Sequence, residues 1–280
     1  AQKEILYCYE LLADNREFQD LLKSAEQAYR KNGTLDYEKM SAEAGALSEK
    51  TGVKGSIGSL LFFLSLCPAA KNFYDKKGLG RALYLDTFYD LTMKAAECKK
   101  LQGVWGTTTN WFGRFFDLTR FKFSRLEFED YEISFDYMNF KKGDKGVNIH
   151  IPEDGPLCRD QCLASYRMAS EFYHKLQKDG KILFTCSSWL LAEEIAEFML
   201  AQSNILKFAA DFDIISVRKE KGFPDGWRVF GADYTKSPDQ LPRSTSLQRG
   251  YADYLVSHEF TSVPLGAFLY DLQSHRIIRR

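Results

Sequence analysis

The sequence predicts an α+β protein in two parts: an all-helical N-terminal domain over residues 1–115, and a C-terminal domain over 116–280 with a mixed central sheet flanked by helices. Three observations predict it. Up to about residue 100 the apolar residues recur at three- and four-residue steps, the helical period. Beyond about 119 they alternate, the strand period. The stretch Gly146–Trp189 then reads strand, loop, helix, strand, a crossover of the length that joins parallel neighbours in one sheet.

In the first half, Ile5, Tyr9 and Leu12, then Phe18, Leu21, Leu22, Ala25 and Tyr29, fall on helical faces, with Asn15 a cap at the break between two helices. Gly33 stops the second helix, and Asp36 opens a third that runs to about Lys50. Ser56 to Lys76 is apolar nearly all round through Ile57, Leu60, Leu61, Phe62, Phe63, Leu64 and Leu66, as in a helix central to a bundle. Pro68 is expected to kink or restart it. Leu79 to Lys99 is the next helix. Gly103 and the small polar run Gly106-Thr107-Thr108-Thr109-Asn110 place the domain boundary near 103–115.

In the second half, Phe121 and Phe123, then Leu126 and Phe128, alternate with a slip in parity that suggests a bulge near Ser124. Glu129-Asp130 reads as a turn, and Ile133, Phe135 and Tyr137 as the return strand, making 119–138 a hairpin. Val147, Ile149 and Ile151 form a strand ended by Pro152-Glu153-Asp154-Gly155-Pro156. From about Arg159, Leu163, Tyr166, Met168, Ala169, Phe172, Tyr173 and Leu176 make a helical stripe that stops at Asp179-Gly180. Ile182 to Phe184 begins the next strand. Leu191–Leu200 and Ile205–Phe212 read as helices with Ser203-Asn204 between them, Ile214–Val217 and Trp227–Phe230 as an antiparallel pair, Thr245–Ser257 as a helix and Leu265–Leu272 as a last strand.

The 280 residues fit two domains or one large one. Lys+Arg and Asp+Glu are both 38, so nothing asks for nucleic acid or an acidic membrane. The longest apolar run, Leu60 to Cys67, is shorter than a membrane span. The six cysteines form no Cys-x-x-Cys, and Cys158 and Cys162 have no His pair nearby. This argues against metal and for a reducing, cytoplasmic setting.

The element order of the second half is similar to that of the GNAT-type acyltransferases. The wording Asn148-Ile149-His150-Ile151-Pro152, Gly155-Pro156-Leu157, Cys162, Ser165-Tyr166, Cys186-Ser188-Trp189-Leu190-Leu191, Ser203-Asn204-Ile205, Leu241-Pro242 and Thr245-Ser246-Leu247-Gln248-Arg249 resembles the GNAT-like C-terminal domain of a bacterial acyltransferase family. That family also carries a helical N-terminal domain, so the resemblance covers nearly the whole chain. It implies transfer of an acyl group from acetyl-CoA or another acyl-CoA to an amine or hydroxyl of a small-molecule or peptide acceptor. It implies coenzyme binding by Ile151, Gly155, Leu157, Cys158 and Arg159, at a turn that opens a helix N-terminus, a natural anion site. The chain departs from the GNAT pattern Arg/Gln-x-x-Gly-x-Gly/Ala in having Pro152 first and Leu157 last; only the central Gly155 fits. The alternative is a non-catalytic GNAT-like module with a degenerate coenzyme A site.

Within the acyltransferase reading, His150 on the polar face of its strand is the candidate base and Tyr166 the candidate acid for the leaving thiolate. Ser187, Ser188, Trp189 and Asn204 are candidate substrate contacts. Each has a structural reading beside it: His150 held by neighbours on a half-buried strand, Tyr166 and Trp189 in the core, Ser187 or Ser188 ending a strand, Asn204 capping a helix. Cys186 lacks a cationic neighbour in sequence and reads as a buried inert thiol rather than a nucleophile.

Overall fold

The computed structural model describes residues 2–107 and 111–280. Of the boundary expected near 103–115, residues 108–110 lie outside the described ones. The chain divides into two compact units, Ala1–Phe121 and Lys122–Arg280.

The first unit holds helices α1 (Gln2–Ala13), α2 (Arg16–Asn32), α3 (Tyr37–Lys50), α4 (Gly55–Lys76), α5 (Arg81–Gln102) and the short α6 (Gly113–Phe116). The caps expected from sequence form. The Asn15 side chain accepts from the Phe18 N–H at 2.8 Å, and Asp36 accepts from the Lys39 N–H at 3.0 Å. Helix α2 buries Phe18, Leu22, Ala25 and Tyr29, one stripe at steps of three and four. The core is aromatic: Phe116 meets Phe63 at 5.8 Å and Phe88 at 4.9 Å, and the Tyr29 hydroxyl donates to the Phe116 carbonyl at 2.7 Å.

Helix α4 runs unbroken through Pro68. Buried residues on both sides of the proline, from Ile57 to Leu66 and then Ala69, Ala70 and Tyr74, hold the helix where the ladder loses a bond. By length and composition it could cross a membrane, but 56% of its most apolar window is buried inside the protein, the burial of a core helix. It packs on α3 through small residues. A Cβ on Gly58 would lie 2.4 Å from the Ala44 carbonyl oxygen and 2.5 Å from the Ser48 Cβ. Gly58→Ala therefore forces two backbones apart. It is expected to lower stability by about 1–3 kcal/mol despite the better helix propensity of Ala. Thermal or urea unfolding checks it; an unchanged midpoint would contradict the close packing.

The second unit is organised on a sheet of order β1-β2-β3-β4-β6-β5, with β7 added on β6. Its elements are β1 (Arg120–Phe123), β2 (Leu126–Glu132), β3 (Lys145–His150), α7 (Arg159–Phe172), β4 (Lys181–Ser187), α8 (Ile195–Phe198), α9 (Asn204–Ala209), β5 (Asp213–Lys221), α10 (Gly226–Phe230), α11 (Ser246–Ser257), β6 (Phe260–Asp271) and β7 (Arg276–Ile278). Strands β3 and β4 are parallel, as the crossover predicts, while β2 pairs with β3, and β6 with β4 and β5, antiparallel. The carboxyl ends of β3, β4 and β5 therefore lie at one end of the sheet.

Four sequence expectations change. The turn between the first strands is at Ser124-Arg125, with Ser124 at φ 55, and not at Glu129-Asp130. Strand β2 runs straight through those two charges because each has a cross-strand partner, Glu129 reaching His150 and Asp130 reaching Lys145. Residues 133–140 are a loop, not a return strand; Ile133, Tyr137 and Phe140 fold over Leu183, Ala267 and Leu269 as an apolar cluster. Trp227–Phe230 is in helix α10, and the partner of β5 is β6. Of Leu191–Leu200 only α8 is α-helical; the Glu194 carboxylate accepts from the Ser262 N–H at 2.6 Å, tying this segment to the start of β6.

The sheet has two faces. Phe128, Phe184, Phe268 and Tyr270 stack on one, under Tyr166 of α7 and Phe212. The other bears the 133–140 cluster toward the amino end of β4 and polar side chains toward its carboxyl end.

Candidate functional site

The parallel register of β3 and β4 covers only Val147↔Phe184 and Asn148↔Thr185. Both strands continue, β3 to His150 and β4 to Ser187. Beyond Asn148 and Thr185 they share no register, so the sheet opens between them at its carboxyl end, where crossover α/β units characteristically bind ligands.

From β3 the chain passes through Ile151, which is half-buried, into the turn 152–158 and helix α7. Gly155 is exposed at φ 78, a backbone angle that side chains resist, and a Cβ there would meet nothing within 4 Å. The turn is held from within by Arg125. Its guanidinium donates to the carbonyls of Pro152 at 2.9 Å, Gly155 at 2.7 Å and Pro156 at 3.1 Å. Lys122 pairs with Asp154. Leu157 is buried, so its bulk points away from the exposed side of the turn. Cys158 is the N-cap of α7 and makes no side-chain cap bond, leaving the first-turn N–H groups of Arg159, Asp160 and Gln161 without an acceptor from the helix or the cap. Arg159 pairs with Asp211, whose carboxyl is raised by burial against the lowering pull of that arginine.

On the polar face at the same end of the sheet, the antiparallel register sets Glu129 opposite Asn148 and Glu127 opposite His150. The His150 Nε2 lies 3.1 Å from the Glu129 carboxylate and 3.1 Å from the Asn148 amide nitrogen. The side chains of His150 and Glu129 keep 19% and 18% of their exposure, enough to meet a ligand and little enough to strengthen the pair. The network continues across the sheet. The Thr185 hydroxyl donates to the Asn148 side-chain carbonyl at 3.4 Å, and the Tyr131 and Thr185 hydroxyls lie 2.9 Å apart. Burial raises the Tyr131 phenol. Glu129, Thr185, Tyr131 and Arg125 carry no local mark of a site in the sequence, and Asn148 stands there only as part of the motif Asn148-Ile149-His150. The missed signal was the unbroken alternation Glu127, Glu129, Tyr131, which a turn at 129 hid.

The remaining candidates divide by position. Tyr166 is fully buried, packs 5.0 Å from Phe268 and donates to Asp211 at 3.1 Å. Burial, reinforced by Asp211, pushes its phenol well up. It lies on the face opposite His150, so the structure does not bring the expected acid and base together. Ser187 is exposed at the end of β4. Ser188 follows the end of β4 and accepts from the Leu190 N–H at 3.1 Å, and Trp189 is buried 5.3 Å from Phe223 and 5.6 Å from Tyr251, a core position. Asn204 is the first residue of α9; its cap is Ser203, which accepts from the Leu206 N–H at 3.3 Å. Burial pushes the Cys186 thiol up to about 12, consistent with an inert thiol. Among the described residues no group of three or more His, Cys, Asp or Glu side chains is placed to hold a metal.

A helical unit followed by a mixed sheet that opens beside an uncapped helix N-terminus defines an acyltransferase-like architecture. Residues 116–268 match the GNAT-like C-terminal domain and residues 1–118 the N-acyltransferase N-terminal domain. The chain belongs to the N-acyltransferase family that joins these two domains. No curated protein matches it. Among solved structures it is similar to an acyltransferase in complex with decanoyl-CoA (19% identity, TM-score 0.70, 91% of this chain and 79% of that one). It is also similar to an acyltransferase in complex with decanoyl-CoA and teicoplanin (21%, 0.64, 76% and 67%). At these identities the likeness is one of fold.

Proposed function

We propose that the chain transfers an acyl group from acyl-CoA to an amine or hydroxyl of a small-molecule or peptide acceptor. The observation that carries this reading is the parting of β3 and β4 beyond Asn148 and Thr185, beside the uncapped first turn of α7 and below the His150–Glu129 pair. The similar structures that hold decanoyl-CoA support it. Acyl-CoA supplies the activated acyl group. The first-turn N–H groups of α7 and the exposed side of the turn around Gly155 suit its diphosphate, since aligned donors and the helix dipole favour anions. Leu157 in place of glycine is compatible with this because it is buried. A β3 backbone N–H in the opening would polarise the thioester carbonyl.

His150, steadied by Glu129 and Asn148, takes the proton from the attacking amine or hydroxyl. The acceptor attacks directly; the new N–C or O–C bond forms as the C–S bond breaks, and the coenzyme leaves as a thiolate. Tyr166 is a positioning residue in this scheme, its hydroxyl on Asp211. Of the substrate candidates we assign Ser187 to the acceptor, because it is exposed at the end of β4. The six unbridged cysteines support a reducing compartment, and we place the reaction in the cytoplasm.

The test is a panel of acyl-CoAs from acetyl to decanoyl against amine and hydroxyl acceptors, read by mass spectrometry together with thiol release. Transfer of one acyl mass with stoichiometric release of coenzyme is the expected result. Binding of coenzyme A without transfer to any acceptor, or no binding at all, favours the non-catalytic module.

A further inference from the structure

Arg125 has no counterpart in the glycine-turn pattern, yet the turn is built on it. It sits in the β1–β2 turn and is 5% exposed. Its backbone N–H donates to the Ser165 hydroxyl at 3.0 Å, which anchors it to α7 as well. Three guanidinium N–H groups are spent on three carbonyls of one five-residue turn, those of Pro152, Gly155 and Pro156. In a trans peptide the C=O of one residue and the N–H of the next point in opposite directions, and no described peptide is cis. Drawing the Pro152 and Pro156 carbonyls inward therefore turns the N–H groups of Glu153 and Leu157 outward. There the Leu157 N–H joins the uncapped first-turn donors of α7.

We infer that Arg125 is a positioning residue for the diphosphate of acyl-CoA, acting through the turn's carbonyls without touching phosphate. The inference rests on the acyl-CoA reading above. Arg125 does from a neighbouring strand turn what the missing Arg/Gln and final Gly/Ala of the usual motif do from within it. Without the guanidinium fork the Gly155 carbonyl loses its side-chain donor, and the Pro152 and Pro156 carbonyls keep only the backbone N–H groups of Asp154 and Cys158, each at 2.9 Å. The turn is then held less firmly and can rotate acceptors toward the place where an anion needs donors.

The test compares two ligands on Arg125→Lys and Arg125→Met. Decanoyl-CoA carries the diphosphate, and decanoyl-pantetheine carries the same acyl arm without it. Affinities are measured by calorimetry below the melting transition of each variant. The expected result is a loss of about tenfold or more for decanoyl-CoA, with decanoyl-pantetheine bound as by the parent. The lysine keeps a charge but not the fork, so it is expected to fail too, and it decides the matter if the methionine variant does not fold. Equal weakening of both ligands, or no weakening of either, overturns the positioning role. A parent chain that binds neither ligand refutes the acyl-CoA reading itself, and the inference with it.

Discussion

His150→Ala is expected to slow acyl transfer by about 10²-fold or more, with coenzyme A affinity unchanged. The base must accept a proton from an amine that is protonated in water, and His150 stands at the opening of the sheet on its polar face. Its Nε2 is 3.1 Å from the Glu129 carboxylate, an arrangement that orients the ring and stabilises the imidazolium formed on proton uptake. Glu129→Gln keeps the shape and removes the charge. It is expected to lower the rate about tenfold or more and to shift the pH–rate profile, because the imidazolium loses its counter-charge. Single-turnover transfer measured across pH checks both variants. Unchanged rates in both would remove the pair from the reaction and leave it a structural cross-strand contact.

Gly155 carries the second large effect. At φ 78 every side chain meets backbone resistance, and Asn and Asp meet it nearly alike, so Gly155→Asn and Gly155→Asp together isolate charge from conformation. A carboxylate on the exposed side of the turn faces the place assigned to the diphosphate. Gly155→Asp is expected to bind coenzyme A at least about tenfold more weakly than Gly155→Asn, about 1.4 kcal/mol, while the two melt within a few degrees of each other. Calorimetric affinity and thermal unfolding on the same samples check it. Equal coenzyme affinity in the two variants would show that no anion sits there.

The fold was legible where local chemistry and tertiary packing agree. Asn15 and Asp36 announce helix starts, the stripe from Leu163 to Phe172 announces α7, and the crossover length announces the parallel β3–β4 pair. It was not legible where long-range partners override local signals. Glu129-Asp130 has turn chemistry, yet His150 and Lys145 across the strand keep β2 extended. Leu191–Leu200 has helical spacing, yet the buried Glu194 is drawn to the Ser262 N–H. The candidate site follows the same division. His150 and Gly155 carry local marks, the polar face of a strand and a turn glycine. Glu129 and Arg125 act through partners 21 and about 30 residues away, respectively, and nothing beside them in the chain marks those partners. Tyr166 illustrates the converse: its place on the apolar stripe already pointed to the core, and the hydroxyl goes to Asp211.

The central claim is that coenzyme A lies at the opening of the sheet with its diphosphate on the first turn of α7. Backbone amide chemical shifts of the isotope-labelled chain, followed through a coenzyme A titration, test it most directly. The account predicts saturable shifts, largest at Leu157, Arg159, Asp160 and Gln161 and next at Ile149 to Ile151. Absence of shifts at millimolar coenzyme A, or saturable shifts confined to residues away from α7 and β3, would contradict it.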